Sequence, residues 1–358
     1  MRAPLFAFLL LAANAAAAPP AADPLADEVA RWDTFLRTHA AAGPTDTLWA
    51  EVKQGSEPAL QRTQQALRDR HRLLALLRLS VAREGLAAAA YMSQRTPAER
   101  TERAPFEAEW ARMGGVLRAA LAPPAPATLE GLRPALVRAL AEAAQPQVKV
   151  YYDASLDYGR STTPESGLYY LGSAQAAQEF VGFLHTLPAP EAAAAPRLRA
   201  LGPDLDALEG EMLAAYRPPL SIDRHRDFIL AHSALKEARE LDALGLRHGA
   251  LLRYLQAAVR FAPLRAPAPA VAPDLRLRLD RLAAELGRER ADHSIAHLFL
   301  EVAEADLAEH AQDGAAVNAA AVAADVLPRY RAALGPAPAP APRPDPRVTV
   351  TLVRWPYT

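Results

Sequence analysis

The sequence predicts a mostly α-helical protein, built from antiparallel helix pairs like a helical-repeat bundle, with one small β-sheet. Three observations predict this fold class. Ala, Leu, Glu, Arg and Gln, which favour helices, dominate the chain. Apolar residues recur at intervals of three and four, as Leu67, Leu74, Leu77 and Val81 do on one helix face. Strand-like alternation is confined to a few short segments.

The helices follow one another between clusters of Pro and Gly, which interrupt regular structure. The predicted helices span residues 23–40, 57–92, 97–121, 129–144, 173–187, 204–215, 221–244, 250–261, 274–286, 289–311 and 315–334.

The predicted sheet combines two mid-chain segments with the C-terminus. Val148, Val150 and Tyr152 alternate along the chain, and residues 167–171 are short and aromatic. Residues 347–353 read RVTVTLV and follow a Pro-rich linker at 336–346. Because an isolated strand is not stable alone, we expect the C-terminal strand (347–358) to pair with 148–152, with 167–171 as a third member. The alternatives are a disordered tail or a strand added to another protein.

The first 18 residues have the pattern of a secretory signal peptide. A short basic start, Met1-Arg2, precedes an apolar run and then a stretch of small residues. The run is too short to span a bilayer. Together with a strong preference for Arg over Lys and a high Ala and Pro content, this predicts an exported bacterial protein, periplasmic or secreted. The remaining helical domain then covers residues 19–335, with a Tyr-rich insertion at 147–172.

Composition excludes several classes of function. The chain has no cysteine, which rules out disulfides, thiol catalysis and zinc–thiolate sites. Its 40 basic and 41 acidic residues are balanced, which argues against nucleic acid as a partner. No segment after the signal peptide has the apolar length of a membrane helix. No phosphate loop, dinucleotide fingerprint or calcium loop is present, so no cofactor is predicted.

One segment resembles the second helix of a tetratricopeptide unit. Ala250, Tyr254 and Ala257 have the spacing of small and aromatic residues in that helix, and Pro263 closes it one residue later than in the family's pattern. The resemblance covers residues 227–263 at most. It implies packed antiparallel helix pairs.

Residues 151–171 form the most distinctive stretch, because they hold Tyr151, Tyr152, Tyr158, Tyr169 and Tyr170 out of 10 tyrosines in the chain. Tyr is rigid and amphipathic, which suits a binding surface. We therefore expect this stretch to contact a ligand or partner. The alternative is a β-hairpin whose rings cover the helical core. The predicted contact residues are Tyr152, Tyr158, Arg160, Tyr169, Tyr170 and Trp355.

Two further candidate sites contain acidic residues. Asp153, Asp157 and Glu165 lie in the Tyr-rich stretch and are the candidates for acid–base catalysis. His293, His297 and Glu301 recur at intervals of four residues and could hold a metal ion from one helix face. The general base of the HExxH pattern is missing, so the alternative is a solvated polar face.

These observations favour a non-enzymatic binding or scaffold protein, because no complete catalytic constellation is visible. Its partner would be a protein, a small molecule or a glycan, recognised by the Tyr-rich stretch. The alternative is a hydrolase that acts on a glycan or peptide through the acidic residues of that stretch.

Overall fold

The computed structural model describes residues 23–38, 47–189, 194–217, 222–265, 272–311 and 316–335. The predicted signal peptide, the Pro-rich linker, the predicted C-terminal strand and Trp355 all lie outside these ranges. The described helices are α1 (Pro24–Thr38), α2 (Thr47–Arg68), α3 (Arg72–Ser93), α4 (Pro97–Thr101), α5 (Arg103–Val116), α6 (Ala135–Ser161), α7 (Pro164–Thr186), α8 (Gly202–Ala215), α9 (His225–Ala243), α10 (Arg247–Phe261), α11 (Ala272–Arg288), α12 (Ser294–Glu309), α13 (Val317–Ala321) and α14 (Leu327–Ala333).

The prediction of a helical body is confirmed, but the predicted small sheet is wrong. Residues 148–152 belong to α6 and residues 167–171 to α7. The buried residues in the second half of α6 are Val148, Tyr152, Ser155 and Gly159, which is the spacing of a helix face and not of a strand. Within the described ranges, the strand-like pairing is a single antiparallel bridge between Leu198 and Leu334.

Several predicted helix boundaries are also wrong, two of them in ways that bear on the site. The predicted helix at 57–92 is two helices, because the chain turns between α2 and α3 at Arg70, whose φ is 64°. In contrast, α6 does not end before Pro146 but continues through it to Ser161. The Tyr-rich stretch is therefore the end of α6 and the beginning of α7, joined by a turn at Thr162 and Thr163.

The long helices form a continuous row in which each packs on the next. The order is α2, α3, α7, α6, α10, α9 and α8. Short turns join α2 to α3, α6 to α7 and α9 to α10, so each of these pairs is an antiparallel hairpin. The turn between α9 and α10 contains Gly245 with a φ of 75°, a conformation that favours glycine. This last hairpin is the helix pair that the tetratricopeptide likeness implies.

Glycine lets α6 and α10 approach closely. A Cβ atom added to Gly249 of α10 would lie 2.9 Å from the Cβ of Glu142 and 3.1 Å from the backbone nitrogen of Ala143, both on α6. Any larger residue would therefore push the two helices apart. Gly172 plays the same part between α7 and α3, where an added Cβ would lie 2.9 Å from the Cα of Ala88.

The N-termini of several helices are capped by carboxylates from elsewhere in the fold. Their own N-cap residues make no side-chain capping bond; they include His71 before α3, Pro134 before α6 and Leu246 before α10. Free N–H groups at a helix start need a partner when buried. The long-range bonds run from Leu74 N–H to Glu301 (2.7 Å), Ala135 N–H to Asp292 (2.5 Å), Leu201 N–H to Asp242 (3.1 Å), Gly249 N–H to Glu142 (2.8 Å) and Ala319 N–H to Asp306 (3.0 Å).

Glu142 is the most deeply buried of these carboxylates, with no exposed surface. It accepts the Gly249 N–H, and its other oxygen lies 2.7 Å from Nε of Arg138. Burial raises the pKa of Glu142, but the His248 imidazole, the Gly249 N–H and the Arg138 guanidinium outweigh it and hold the pKa below its ordinary value of 4.5. The charged carboxylate therefore stabilises the contact between α6 and α10.

No helix among the described residues is long and apolar enough to cross a membrane.

Replacing Glu142 with alanine should lower the free energy of unfolding by about 3 to 5 kcal/mol, because Arg138 and the Gly249 N–H lose their buried partner. Urea denaturation of the purified protein measures this change. Glu309→Ala, which removes an exposed glutamate from α12, serves as control and should change stability by at most about 0.5 kcal/mol. Equal effects of the two substitutions would contradict the capping role of Glu142.

The stabilisation by Glu142 should also depend on pH. Its pKa is lower in the folded than in the unfolded chain, so its contribution is complete above pH 4.5 and is lost as the pH falls through the lower, folded value. Denaturation of the wild type and Glu142→Gln at a series of pH values between neutrality and acid measures the difference. The two stabilities should converge as the pH falls; a difference that stays constant would show that the charge of Glu142 contributes nothing.

Candidate functional site

A polar cavity of about 240 Å³ lies where α3, α6, α7, α9 and α10 meet. Three arginines, two glutamates and a tyrosine face it, although the surrounding helices are mostly apolar. Such a cavity, with convergent polar groups in an apolar frame, is a candidate binding site. The polar lining residues are Ser80, Arg83, Glu84, Gln147, Tyr151, Glu237, Arg253 and Arg260.

Glu84 and Tyr151 form the central pair of this cavity. The Tyr151 hydroxyl donates to Oε1 of Glu84 at 2.6 Å, and both side chains are half-buried. Burial raises the pKa of Glu84, and the hydrogen bond from Tyr151 partly opposes this increase. Burial and the neighbouring Glu84 charge raise the pKa of Tyr151 well above its ordinary value, so the phenol remains protonated and continues to donate.

Arg83, the residue before Glu84, is almost fully enclosed, with 2% of its surface exposed. Its Nη1 donates to the carbonyl oxygen of Ala176 at 2.7 Å, whereas its buried Nε makes no hydrogen bond. The nearest carboxylate oxygens, of Glu28 and Glu179, lie 3.6 and 3.8 Å away. Burial lowers the pKa of Arg83, and the ring of Phe180, 5.2 Å from the guanidinium, contributes a cation–π contact. Arg83 is therefore a buried guanidinium of the cavity wall that is ion-paired with Glu28 and Glu179.

The opposite wall is formed by α9 and α10. Nε of Arg253 lies 2.8 Å from Glu237, so these two charges neutralise each other. Arg260, two turns further along α10, donates to the Leu230 carbonyl oxygen at 3.3 Å and is exposed. Desolvation and repulsion from Arg253 lower the pKa of Arg260. The cations facing this cavity outnumber the carboxylates.

Two further cavities adjoin the polar one. A cavity of about 520 Å³ shares Val81 and Glu84 with it and is also lined by Tyr169 and by residues of α2. An apolar groove of about 590 Å³ runs between α6, α9 and the segment after α5. This groove shares Ala143, Gln147 and Glu237 with the polar cavity.

The predicted contact tyrosines do not form one surface. Tyr152 is buried at 8% exposure and stacks on Trp110, with ring centroids 4.7 Å apart. Tyr158 is 45% exposed and stacks on Tyr170 at 4.5 Å, and Tyr169 meets Tyr170 edge-on. Arg160 forms an ion pair with Glu107 at 2.8 Å. Tyr158 therefore presents the largest exposed fraction among these rings, while Tyr169 lines the 520 Å³ cavity that Glu84 also borders.

The predicted catalytic carboxylates lie at the surface. Asp153 is exposed, pairs with Lys149 at 2.5 Å and borders the apolar groove. Asp157 is exposed one turn later on α6, and Glu165 is half-buried in the first turn of α7. Neither Asp157 nor Glu165 lines any of the three cavities around Glu84. The polar cavity contains the carboxylates of Glu84 and Glu237, and Asp153 shares the apolar groove with Glu237 and Glu240.

The predicted metal ligands make contacts within the protein. His293 precedes α12, and its Nδ1 lies 2.8 Å from the Tyr330 hydroxyl while its Nε2 lies 2.8 Å from Glu289. Glu301 caps α3. Burial lowers the pKa of His297, which favours its neutral form. Among the described residues, no group of three or more His, Asp or Glu side chains is placed to hold a metal ion.

Sequence reasoning missed the residues of the polar cavity, because Tyr151 belongs to the Tyr-rich stretch but is not among the predicted contact residues. Glu84 and Arg83 read as ordinary members of a charged helix, and Glu237 and Arg253 belong to helices far away in the chain. The Arg83-Glu84 pair among the apolar residues of α3 was the available signal, since charged residues are rarely buried without a partner.

No family model matches the chain, and no curated protein or solved structure matches it either. Any functional argument therefore depends on the chemistry of the site.

Replacing Tyr151 with phenylalanine should raise the pKa of Glu84, because the hydrogen bond from the phenol stabilises the charged carboxylate. A carboxyl ¹³C NMR titration measures this pKa, with the Glu84 signal assigned from its absence in Glu84→Gln. Tyr158→Phe removes the hydroxyl of a 45% exposed ring on the same helix, which does not contact Glu84, and should leave the Glu84 titration unchanged. An unaltered Glu84 pKa in Tyr151→Phe would contradict the assigned hydrogen bond.

Proposed function

We propose that this is an exported, periplasmic or secreted binding protein without catalytic activity, which holds a small ligand in the polar cavity around Glu84. The observation that carries this proposal is the convergence of eight polar side chains from α3, α6, α9 and α10 on one cavity in an apolar frame. At its centre the Tyr151 hydroxyl donates to Glu84 at 2.6 Å. Concave sites with a few convergent polar groups are typical of ligand binding.

The other cavity residues support recognition of a polar group. Tyr151 offers a hydroxyl that is fixed by Glu84, and Gln147 and Ser80 offer further donors and acceptors. These groups stand on five packed helices, so their positions need little adjustment when a ligand binds. Preorganisation of this kind reduces the entropic cost of binding. We favour small-molecule binding over a protein interface because the cavity is concave and its polar groups converge.

The second candidate function is a hydrolase, with Glu84 and Glu237 as the acid–base pair in place of the residues predicted from the sequence. Glu84 and Glu237 share one cavity, and burial raises the pKa of Glu84. A carboxyl group with a raised pKa suits a general acid. Against this, Glu237 is neutralised by Arg253, and a general base needs a free carboxylate within reach of water.

Screening a library of small polar molecules by thermal shift tests the binding proposal, with affinities of the hits then measured by calorimetry. Arg253→Gln and Tyr151→Phe should each weaken a cavity ligand about tenfold, the effect of losing one good hydrogen bond. Arg239→Gln is the matched control, because Arg239 lies on α9 but pairs with Asp206 and Glu209 at the surface. It should bind as the wild type does.

Hits that bind all these variants equally, or the absence of any hit, would overturn the proposal. Mass spectrometry of each hit after long incubation with the protein distinguishes a hydrolase from a binding protein. Product formation that disappears in Glu84→Gln would favour catalysis, whereas an intact ligand supports binding alone.

A further inference from the structure

We name the cavity of about 520 Å³ between α2, α3 and α7 the acidic cavity, because its charged residues are Glu51 and Glu84. Among the described residues, no Lys, Arg or His lines it. Neither carboxylate forms an ion pair with a residue in the described ranges. The volume falls within the roughly 300–1,000 Å³ of small-molecule sites, and the negative charge of the lining favours a cationic ligand.

Two hydroxyl groups that line the acidic cavity make no hydrogen bond with any described residue, those of Ser56 and Tyr169. Ser56 is buried, with 7% of its surface exposed, and Tyr169 is half-buried. A Cβ atom added to Gly85 would lie 3.2 Å from the Ser56 Oγ and 3.8 Å from the Tyr169 hydroxyl oxygen. The missing side chain of Gly85 therefore leaves open a space that both hydroxyls border. Buried polar groups nearly always have partners, and a ligand in this space would supply one for Ser56.

Glu84 is the inner carboxylate of the acidic cavity, since it is half-buried whereas Glu51 is exposed. Its Oε1 accepts the hydrogen bond from Tyr151, and its Oε2 accepts none from the part of the chain that the structure describes. Burial raises the pKa of Glu84, although Tyr151 and the neighbouring arginines oppose this increase. A further cation beside Oε2 would stabilise the charged form of the carboxylate.

The remaining lining selects among cations. Small apolar side chains, those of Val52, Ala59, Val81 and Ala82, provide a surface for an apolar body. A primary ammonium group has three N–H donors and no acceptor. It therefore matches a lining whose polar atoms are carboxylate and hydroxyl oxygens, and its hydrogen bonds to a carboxylate are charge-assisted.

We propose that the acidic cavity binds a small primary amine, whose ammonium group donates to Glu84, Ser56 and Tyr169. The apolar body of the amine lies against Val52 and Val81. This site is separate from the polar cavity that serves the proposed function, although Glu84 borders both cavities. The inference therefore does not rest on that function.

Calorimetry at pH 7, where primary amines are protonated, tests this inference with three probes that share a hexyl chain. Hexylamine carries an ammonium group with N–H donors, hexyltrimethylammonium carries the same charge without donors, and 1-hexanol is neutral. Hexylamine should bind at least about tenfold more tightly than either of the other probes, because it alone combines the charge with N–H donors.

The substitution Ser56→Ala removes one hydrogen-bond acceptor without adding volume. It should weaken hexylamine about tenfold and leave hexyltrimethylammonium unchanged, because the second probe donates no hydrogen bond. Ser80→Ala is the matched control, since Ser80 lines the polar cavity and not the acidic one. It should bind hexylamine as the wild type does.

The substitution Gly85→Ala tests where the ammonium group lies. The added methyl group fills the space beside Ser56 and should weaken hexylamine at least about tenfold, while alanine favours the helix more than glycine does. Gly182→Ala on α7 is the control, because a Cβ there meets no other atom within 4 Å and Gly182 lies outside the cavity. Thermal denaturation of both variants verifies that they fold.

The inference is overturned if hexylamine does not bind, or if either of the other probes binds as tightly as hexylamine. It is also overturned if Ser56→Ala binds hexylamine no more weakly than Ser80→Ala, because the amine would then lie elsewhere. The proposed function is tested separately, by library hits that depend on Arg253 and Tyr151, so that each can fail without the other.

Discussion

The contact between α6 and α10 is the constraint on which the site depends. Glu142 of α6 reaches the first turn of α10 and accepts the Gly249 N–H, and the missing side chain of Gly249 lets the helices approach. The same two helices continue to Tyr151 and Arg253, which face each other across the polar cavity. A buried carboxylate that fixes the start of α10 therefore also fixes the width of the cavity. Loss of this cap would move a wall of the site as well as lower stability.

The same arrangement recurs through the fold, with a carboxylate of one helix bound to the N-terminus of another. Glu301 joins α12 to α3, the helix that carries Arg83 and Glu84, and Asp292 joins the start of α12 to α6. Each bond replaces a local N-cap and links helices that are distant in sequence. Charge at a helix N-terminus is also favoured by the helix dipole. The helices that surround the cavity are thus held by directional bonds as well as by apolar packing, which keeps the polar lining in place without a ligand.

The helices could be predicted from the sequence because the spacing of their apolar residues is a local pattern. The site could not be predicted in this way. Val148, Tyr152, Ser155 and Gly159 recur at helical intervals, yet the short alternation at 148–152 was interpreted as a strand. Three of the five caps join residues more than a hundred positions apart, and no local pattern reveals them. A weak signal was present in the poor N-cap residues, since His71, Pro134 and Leu246 cannot cap the helices they precede. The polar cavity could not be predicted for the same reason, because Glu84 and Glu237 come together only through tertiary packing.

Amide hydrogen exchange at Gly249 tests the central claim most directly. N–H groups in the first turn of a helix usually exchange rapidly, because they lack an intrahelical partner. The bond to Glu142 predicts that the Gly249 amide is protected nearly as well as amides in the middle of α10, and that Glu142→Ala removes this protection selectively. Rapid exchange of Gly249 in the wild type would contradict the account, because α10 would then lack the cap that positions its side of the cavity.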